Sequence, residues 1–594
     1  MRLPLLLAVV SAGALASAEA PVSLTASDGT GLKLVKLEAV GVVQDPLAFT
    51  ELRLTFQNPL DRVLEGQFRV TLPRGASVSR FAMNIDGRWQ EGEVVEKQAA
   101  RRAYEDFLHR RQDPALLEQA GGNEFQARVF PIPARGIKEL VLSYSHDLQA
   151  AGTPYVVPLR GLPEVGTLTV SVHGVTGTST LSKKNFVPNA DFSALPAATG
   201  QGVRSGTFAA VRVVPVATSA PEPLRALTVL VDTSASRALG WREQVAQLSA
   251  LLAALAKGQP DLTVSVVAFD QTVAPVYAGP AASFSEADAR RLRERQALGA
   301  SDVEAALRHL AAAPTERALL ISDGVMTAGA TEGPNLTAQV LKLKAAGVKR
   351  LDALAVGGIR DEAALARLAQ GNLERDGAVL DGALPPAELA RRLQLATRSR
   401  LAVEVEGAAA WWPTSLAGVQ AGDAVLVYAE LPANKPVRVK VAGAAQPVAS
   451  LTTVDAPLLQ RAWARARIAQ LEARLDGADG EPERAKLRAS IVALSTKERV
   501  LSSLTALLVL ETEADYARFH IDRRALADVL TVKEGRVARL KRDAKSLVLT
   551  KPPAPKTRAA SSGGAAARQR GGSFEIGGGP SDGAPAAEPA PPAT

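Results

Sequence analysis

Residues 227–236 read LTVLVDTSAS. A strand-like apolar run ends abruptly in Asp232, and hydroxyls follow at the alternate positions Ser234 and Ser236. Alone, the stretch reads as a buried strand leading into a polar turn and a helix. Its surroundings decide the fold. ALTVLVD is followed by the helical WREQVAQLSALLAALAKG, the strand-like DLTVSVVAFD, the helical SDVEAALRHLAAA, the strand-like RALLISDG, the helical NLTAQVLKLKAAG and the strand-like RLDALAVG. Two more helical stretches, DEAALARLAQG and PPAELARRLQLATRS, close the region. Strands alternating with helices predict a parallel sheet covered on both faces, and near-continuous apolar strands suit that burial.

In open parallel sheets, ligand sites form at the carboxyl ends of the strands. Three loops carry oxygen donors to that edge. The first holds Asp232, Ser234 and Ser236, the second (LGASDVEAAL) brings Ser301 just before a helix, and the third (LLISDGVMT) ends a strand on Asp323. Two carboxylates and three hydroxyls, without His or Cys, suit a hard cation: Mg²⁺, with Mn²⁺ or Ca²⁺ as alternatives. The competing reading is structural, with Asp232 and Ser301 as helix caps and Asp323 as a turn residue.

DTSAS, GAS before a helix, and LISDG together resemble the von Willebrand factor A domain and its metal-ion-dependent adhesion site, over about residues 225–400. Ser301 stands where that family usually has Thr, which keeps the hydroxyl and loses a methyl. The resemblance implies that Ser234, Ser236 and Ser301 offer hydroxyls directly to the ion. Asp232 and Asp323 would act through bound water, and a carboxylate of a partner protein would fill an open coordination position. Upstream, Asp86-Gly87, Tyr104-Glu105, Asp113-Pro114, Leu117-Glu118, Asn123, Phe125 and RVFPIP at 128–133 resemble the VIT domain over about residues 22–150. Tyr104, Phe107, Leu108, Phe125, Val129 and Phe130 read as core of that domain. The order of domains resembles the inter-α-trypsin inhibitor heavy chains. Their C-terminal attachment to a glycosaminoglycan is not implied, because the cleavage motif it needs is missing here.

The 594 residues are too many for one ordinary core. Residues 1–18 have the form of a secretory signal, and no later run is long and apolar enough to span a membrane. The expectation is an exported protein of the periplasm, envelope or medium. With no cysteine, disulfides and thiol chemistry are excluded. The net charge of +8 is concentrated between Lys533 and Arg570, where eleven basic residues face Glu534 and Asp543. From about 551 the chain is rich in Pro, Ala, Gly and Ser and reads as a disordered tail. That tail is a candidate for an anionic envelope polymer, whereas nucleic acid does not fit an exported chain.

The expected fold class is multidomain α+β. It comprises a β-sandwich-like domain at 22–150, a β domain from 151–220 and 401–455 flanking a doubly wound α/β domain at 225–400, a helical region at 456–545 in which the apolar LTALLVLE reads as a strand, and the tail. An α/β domain inserted into the flanking β domain would carry its site at the far end of a stiff stalk. The five histidines (His109, His146, His173, His309, His520) show no metal-ligand spacing, and hydrolase and phosphate-loop motifs are missing. The leading function is therefore metal-dependent protein binding or scaffolding. A structural envelope protein with a vestigial metal site, and a metal-dependent hydrolase, are the alternatives.

Overall fold

The computed structural model describes residues 20–540, except 86, 103–114, 198–199, 330–332, 449–450, 479, 511–512 and 519–527. The signal-like segment, the tail from 551 and the predicted Tyr104, Phe107, Leu108 and Asp113-Pro114 positions lie outside the described residues. The fold is mixed α+β.

The N-terminal part is a two-sheet sandwich. One sheet runs in the order Val22–Ala26, Leu64–Thr71, Glu124–Ile132, Ala115–Gly121, Thr505–Val509, Glu93–Glu96. The other runs Thr180–Phe186, Val165–His173, Lys33–Gln44, Leu47–Gln57, Ile137–Asp147, Ser77–Ile85, Arg88–Glu91. Inward residues of both sheets interdigitate, as a sandwich requires. Phe68 of the first sheet meets Phe56 edge-on at 6.4 Å and stacks on Phe81 at 5.9 Å between ring centroids.

Two boundaries differ from expectation. Val165–His173 pairs in parallel with Lys33–Gln44, and Tyr155, Leu168, Val170 and Phe192 fill the sandwich core, so 155–196 belongs to the N-terminal domain. The flanking β domain begins later, at Gly202–Ser205, which pairs with Phe208–Val213; that strand pairs with Val425–Glu430, which pairs with Ala410–Trp412. The reason is alternation, since Leu168, Val170 and Val172 place three buried residues on one face that only the sandwich can cover.

In the region 456–545, Ala456–Asp476 and Glu481–Glu498 form a helical pair, and the strand expected in LTALLVLE, Thr505–Val509, inserts into the first sandwich sheet. Val529–Lys533 and Arg536–Leu540 make a β-hairpin. Its turn residues Glu534 and Gly535 both have positive φ, 51° and 73°, the conformation that tight hairpin turns demand.

The α/β domain holds a six-stranded sheet ordered Val273–Pro280, Thr263–Phe269, Ala226–Asp232, Arg317–Ser322, Arg350–Ala355, Val379–Asp381. All neighbours are parallel except the edge strand Val273–Pro280. Side chains alternate across the sheet. Leu227, Val229 and Val231 pack under the helices Trp241–Gly258, Glu286–Glu294 and Pro386–Leu393. Leu230 packs on the opposite face with Val303–Ala312, Gly333–Ala345 and Glu362–Ala369.

The chain enters and leaves this domain side by side. Pro221 and Leu395 bridge, and the Glu222 N–H donates to Gln394 O at 2.7 Å. Arg317 and Arg350, which begin two central strands, each reach Glu222 at 2.9 Å. The opposite end of the domain does not project freely. Asn123 of the sandwich donates to Gly358 O at 3.1 Å and accepts from Arg360 N–H at 2.8 Å, and Arg74 pairs with Glu362. The sandwich therefore meets the carboxyl edge of the sheet, and the expected free stalk end is replaced by a contact between domains.

Candidate metal centre

The strand Ala226–Asp232 pairs with Thr263–Phe269 on one side and Arg317–Ser322 on the other. Its carboxyl end is thus the point where the strand order reverses, the favoured place for a ligand in such sheets. Asp232 is fully buried there. Its Oδ1 accepts the Ser234 N–H at 2.9 Å, while Oδ2 accepts the hydroxyls of Ser301 at 2.9 Å and Ser322 at 2.7 Å. The two ends of the DTSAS turn meet through the Ser234 and Ser236 hydroxyls, 3.0 Å apart. Ser234 and Ser301 are buried, whereas Ser236 is exposed.

Asp323 is also fully buried. Its Oδ1 accepts Val325 N–H at 2.9 Å and its Oδ2 accepts Arg237 Nη2 at 2.5 Å. Burial pushes its carboxyl above the usual carboxylate value. The Arg237 guanidinium opposes that rise and the Asp232 charge adds to it. Gly324, at φ +78°, is required for the turn, since a Cβ there would stand 2.4 Å from Asp361 O.

All five residues singled out in the sequence lie in one hydrogen-bonded network that crosses three loops. The structural alternative holds in part: Asp302, not Ser301, caps the helix Val303–Ala312 by accepting Ala305 N–H, whereas Asp323 accepts the N–H two residues on, as a turn residue does. Sequence reasoning missed two members, Ser322 and Arg237. Ser322 was visible inside LISDG, as the hydroxyl next to Asp323. Arg237 follows DTSAS directly and reads as a solvated helix-start residue, yet its side chain is only 3% exposed.

Among the described residues, no group of three or more His, Cys, Asp or Glu is placed to hold a metal. The donors here are two carboxylates and several hydroxyls. That oxygen-only set suits a hard divalent cation, and the Arg237 guanidinium already stands against Asp323 as a cation would.

Ser236 and Arg237 line a cleft of about 690 Å³ between the two domains. Its other wall includes Pro21, Leu72, Pro73 and Pro158 of the sandwich.

Residues 34–144 match the family model described as the vault protein inter-alpha-trypsin (VIT) domain. A 142-residue stretch is 28% identical to inter alpha-trypsin inhibitor heavy chain 4 of Mus musculus and covers 24% of this chain but 15% of that protein. Among solved structures, a von Willebrand factor type A protein from Catenulispora acidiphila is 15% identical, covering 57% of this chain and 95% of its own, with a TM-score of 0.25. Proximal thread matrix protein 1 from the mussel byssus, described with a zinc-occupied MIDAS motif, is 20% identical over 30% of this chain and 48% of its own, with a TM-score of 0.23. The chain thus carries a VIT-family match over residues 34–144 and a similarity to an inter-alpha-trypsin inhibitor heavy chain, and von Willebrand A domains are among its structural neighbours.

Proposed function

We propose that the chain is an exported binding or scaffold protein whose α/β domain holds a divalent cation, Mg²⁺ in the first place. Ser234, Ser236 and Ser301 offer hydroxyls to the ion, Asp232 and Asp323 hold it through water, and a carboxylate of a partner protein completes the shell. One observation carries this reading: oxygen donors from three separate loops form a single network that ends on the exposed Ser236 at a cleft. The proline-rich sandwich wall narrows the approach, so the partner presents a slender acidic segment rather than a flat face.

Ser236→Ala is the informative variant, because Ser236 is exposed and its loss leaves the sheet intact. Asp232 is unsuitable, since it accepts three buried hydrogen bonds that its removal would orphan. Isothermal titration of Mg²⁺ or Mn²⁺ should give saturable heat with the parent chain and an affinity lower by about tenfold or more with Ser236→Ala, at unchanged melting temperature. Titrations without heat in the parent chain would sink the metal reading. The second reading, a structural envelope protein with a vestigial site, is favoured by the Arg237–Asp323 pair, which already neutralises one of the two carboxylates.

A further inference from the structure

We infer that Arg237 is a built-in counter-cation that makes metal binding depend on an anionic ligand. The inference rests on the metal reading above and names what sets the affinity and selectivity of that site.

Arg237 is held from three sides. Nη2 donates to Asp323 Oδ2 at 2.5 Å, Nη1 to Val356 O at 2.8 Å, and Nε reaches Ser236 Oγ at 3.4 Å. Space for the guanidinium is reserved by Gly357, where a Cβ would lie 2.3 Å from Nη1. The charge is therefore part of the site, one residue from a candidate metal donor and bonded to another.

The consequence follows from charge balance. Asp232 and Asp323 carry two negative charges, enough to neutralise a divalent ion by themselves. Arg237 compensates one of them in advance. A divalent ion added beside Arg237 leaves the buried site with one uncompensated positive charge, which is unfavourable in a poorly solvated place. A carboxylate arriving from the cleft restores neutrality. Metal alone binds weakly, metal with a carboxylate binds well, and each raises the affinity for the other by the same factor. Without Arg237, metal and the two aspartates would balance unaided, and the site would have less need of an anion. Arg237 thus acts through the charge it places at the site, as a specificity-determining residue for acidic ligands.

The test uses the full chain and Mn²⁺, titrated calorimetrically with excess acetate or with chloride at equal ionic strength. In chloride, Arg237→Gln should bind Mn²⁺ about tenfold tighter than the parent, within the usual range of such couplings. Arg237→Lys, which keeps the charge, should stay near the parent. Acetate should tighten Mn²⁺ binding by the parent and much less by Arg237→Gln. Parent binding that acetate leaves unchanged overturns the inference, and this arm needs no variant to fold. Equal or weaker Mn²⁺ binding by a folded Arg237→Gln also overturns it while leaving the metal reading standing. Absence of Mn²⁺ binding in every arm overturns the metal reading and this inference together.

Discussion

At the scale of single residues, the site is a set of polar groups, buried except for Ser236, that satisfy one another. Asp232, Ser234 and Ser236 were legible because hydroxyls at alternate positions after a strand-ending aspartate make an unusual pattern. Arg237 was not, because one basic residue after a polar turn has no local mark of burial; the distant Asp323 and Val356 draw it inside. Gly357 is its complement, with φ +90° and no room for a side chain. Gly357→Ala should therefore strain the backbone and displace the guanidinium, lowering stability by roughly 1–3 kcal/mol. Calorimetric melting reads this directly, and an unchanged melting temperature would show that the loop yields freely.

At the scale of elements, the strand–helix alternation of the α/β domain was readable, because apolar period and turn residues agree along the chain. The hairpin at 529–540 was not, since Lys533, Arg536 and Arg539 dominate its composition and mask the alternation of Leu530 and Val532, which pack with Val537 on one face. The strand Ile137–Asp147 shows what burial does to chemistry within one element. His146 lies against Tyr144 and Tyr155, 6.0 and 5.8 Å between ring centroids, with Asp147 and Arg465 nearby. Burial, reinforced by Arg465 and opposed by Asp147, lowers its pKa from 6.5 to about 4. The folded protein thus keeps His146 neutral where the unfolded chain takes up a proton. Stability from this group is complete above pH 6.5 and is lost as pH falls toward about 4, by about 3 kcal/mol in all. Urea midpoints at intervals across that window should fall accordingly, and His146→Gln should flatten the slope there.

At the scale of the whole molecule, the least legible feature is the closure of the first sheet by Thr505–Val509. Its apolar run reads as a strand, but nothing local names its partners. Leu507 pairs with Leu117 on one side and Val94 on the other, so a late strand lies between two early ones. A chain ending at Glu498 should expose both edges. Amide exchange at Glu93–Glu96 and Ala115–Gly121 should then become fast, while exchange in Ala226–Asp232 stays slow. Protection retained at the first two segments would mean that they pair without the late strand.

The side-by-side entry and exit at Glu222 and Leu395 have a mechanical consequence. The proposed metal site lies at the carboxyl ends of the central strands, and the tether lies at their amino ends. On the proposed reading, the share of a partner's load that passes to this tether, rather than to the sandwich contacts at Asn123 and Arg74, runs lengthwise along Ala226–Asp232 and Arg317–Ser322. It shears their whole ladder of hydrogen bonds at once instead of unzipping it rung by rung, an arrangement suited to resisting sustained tension.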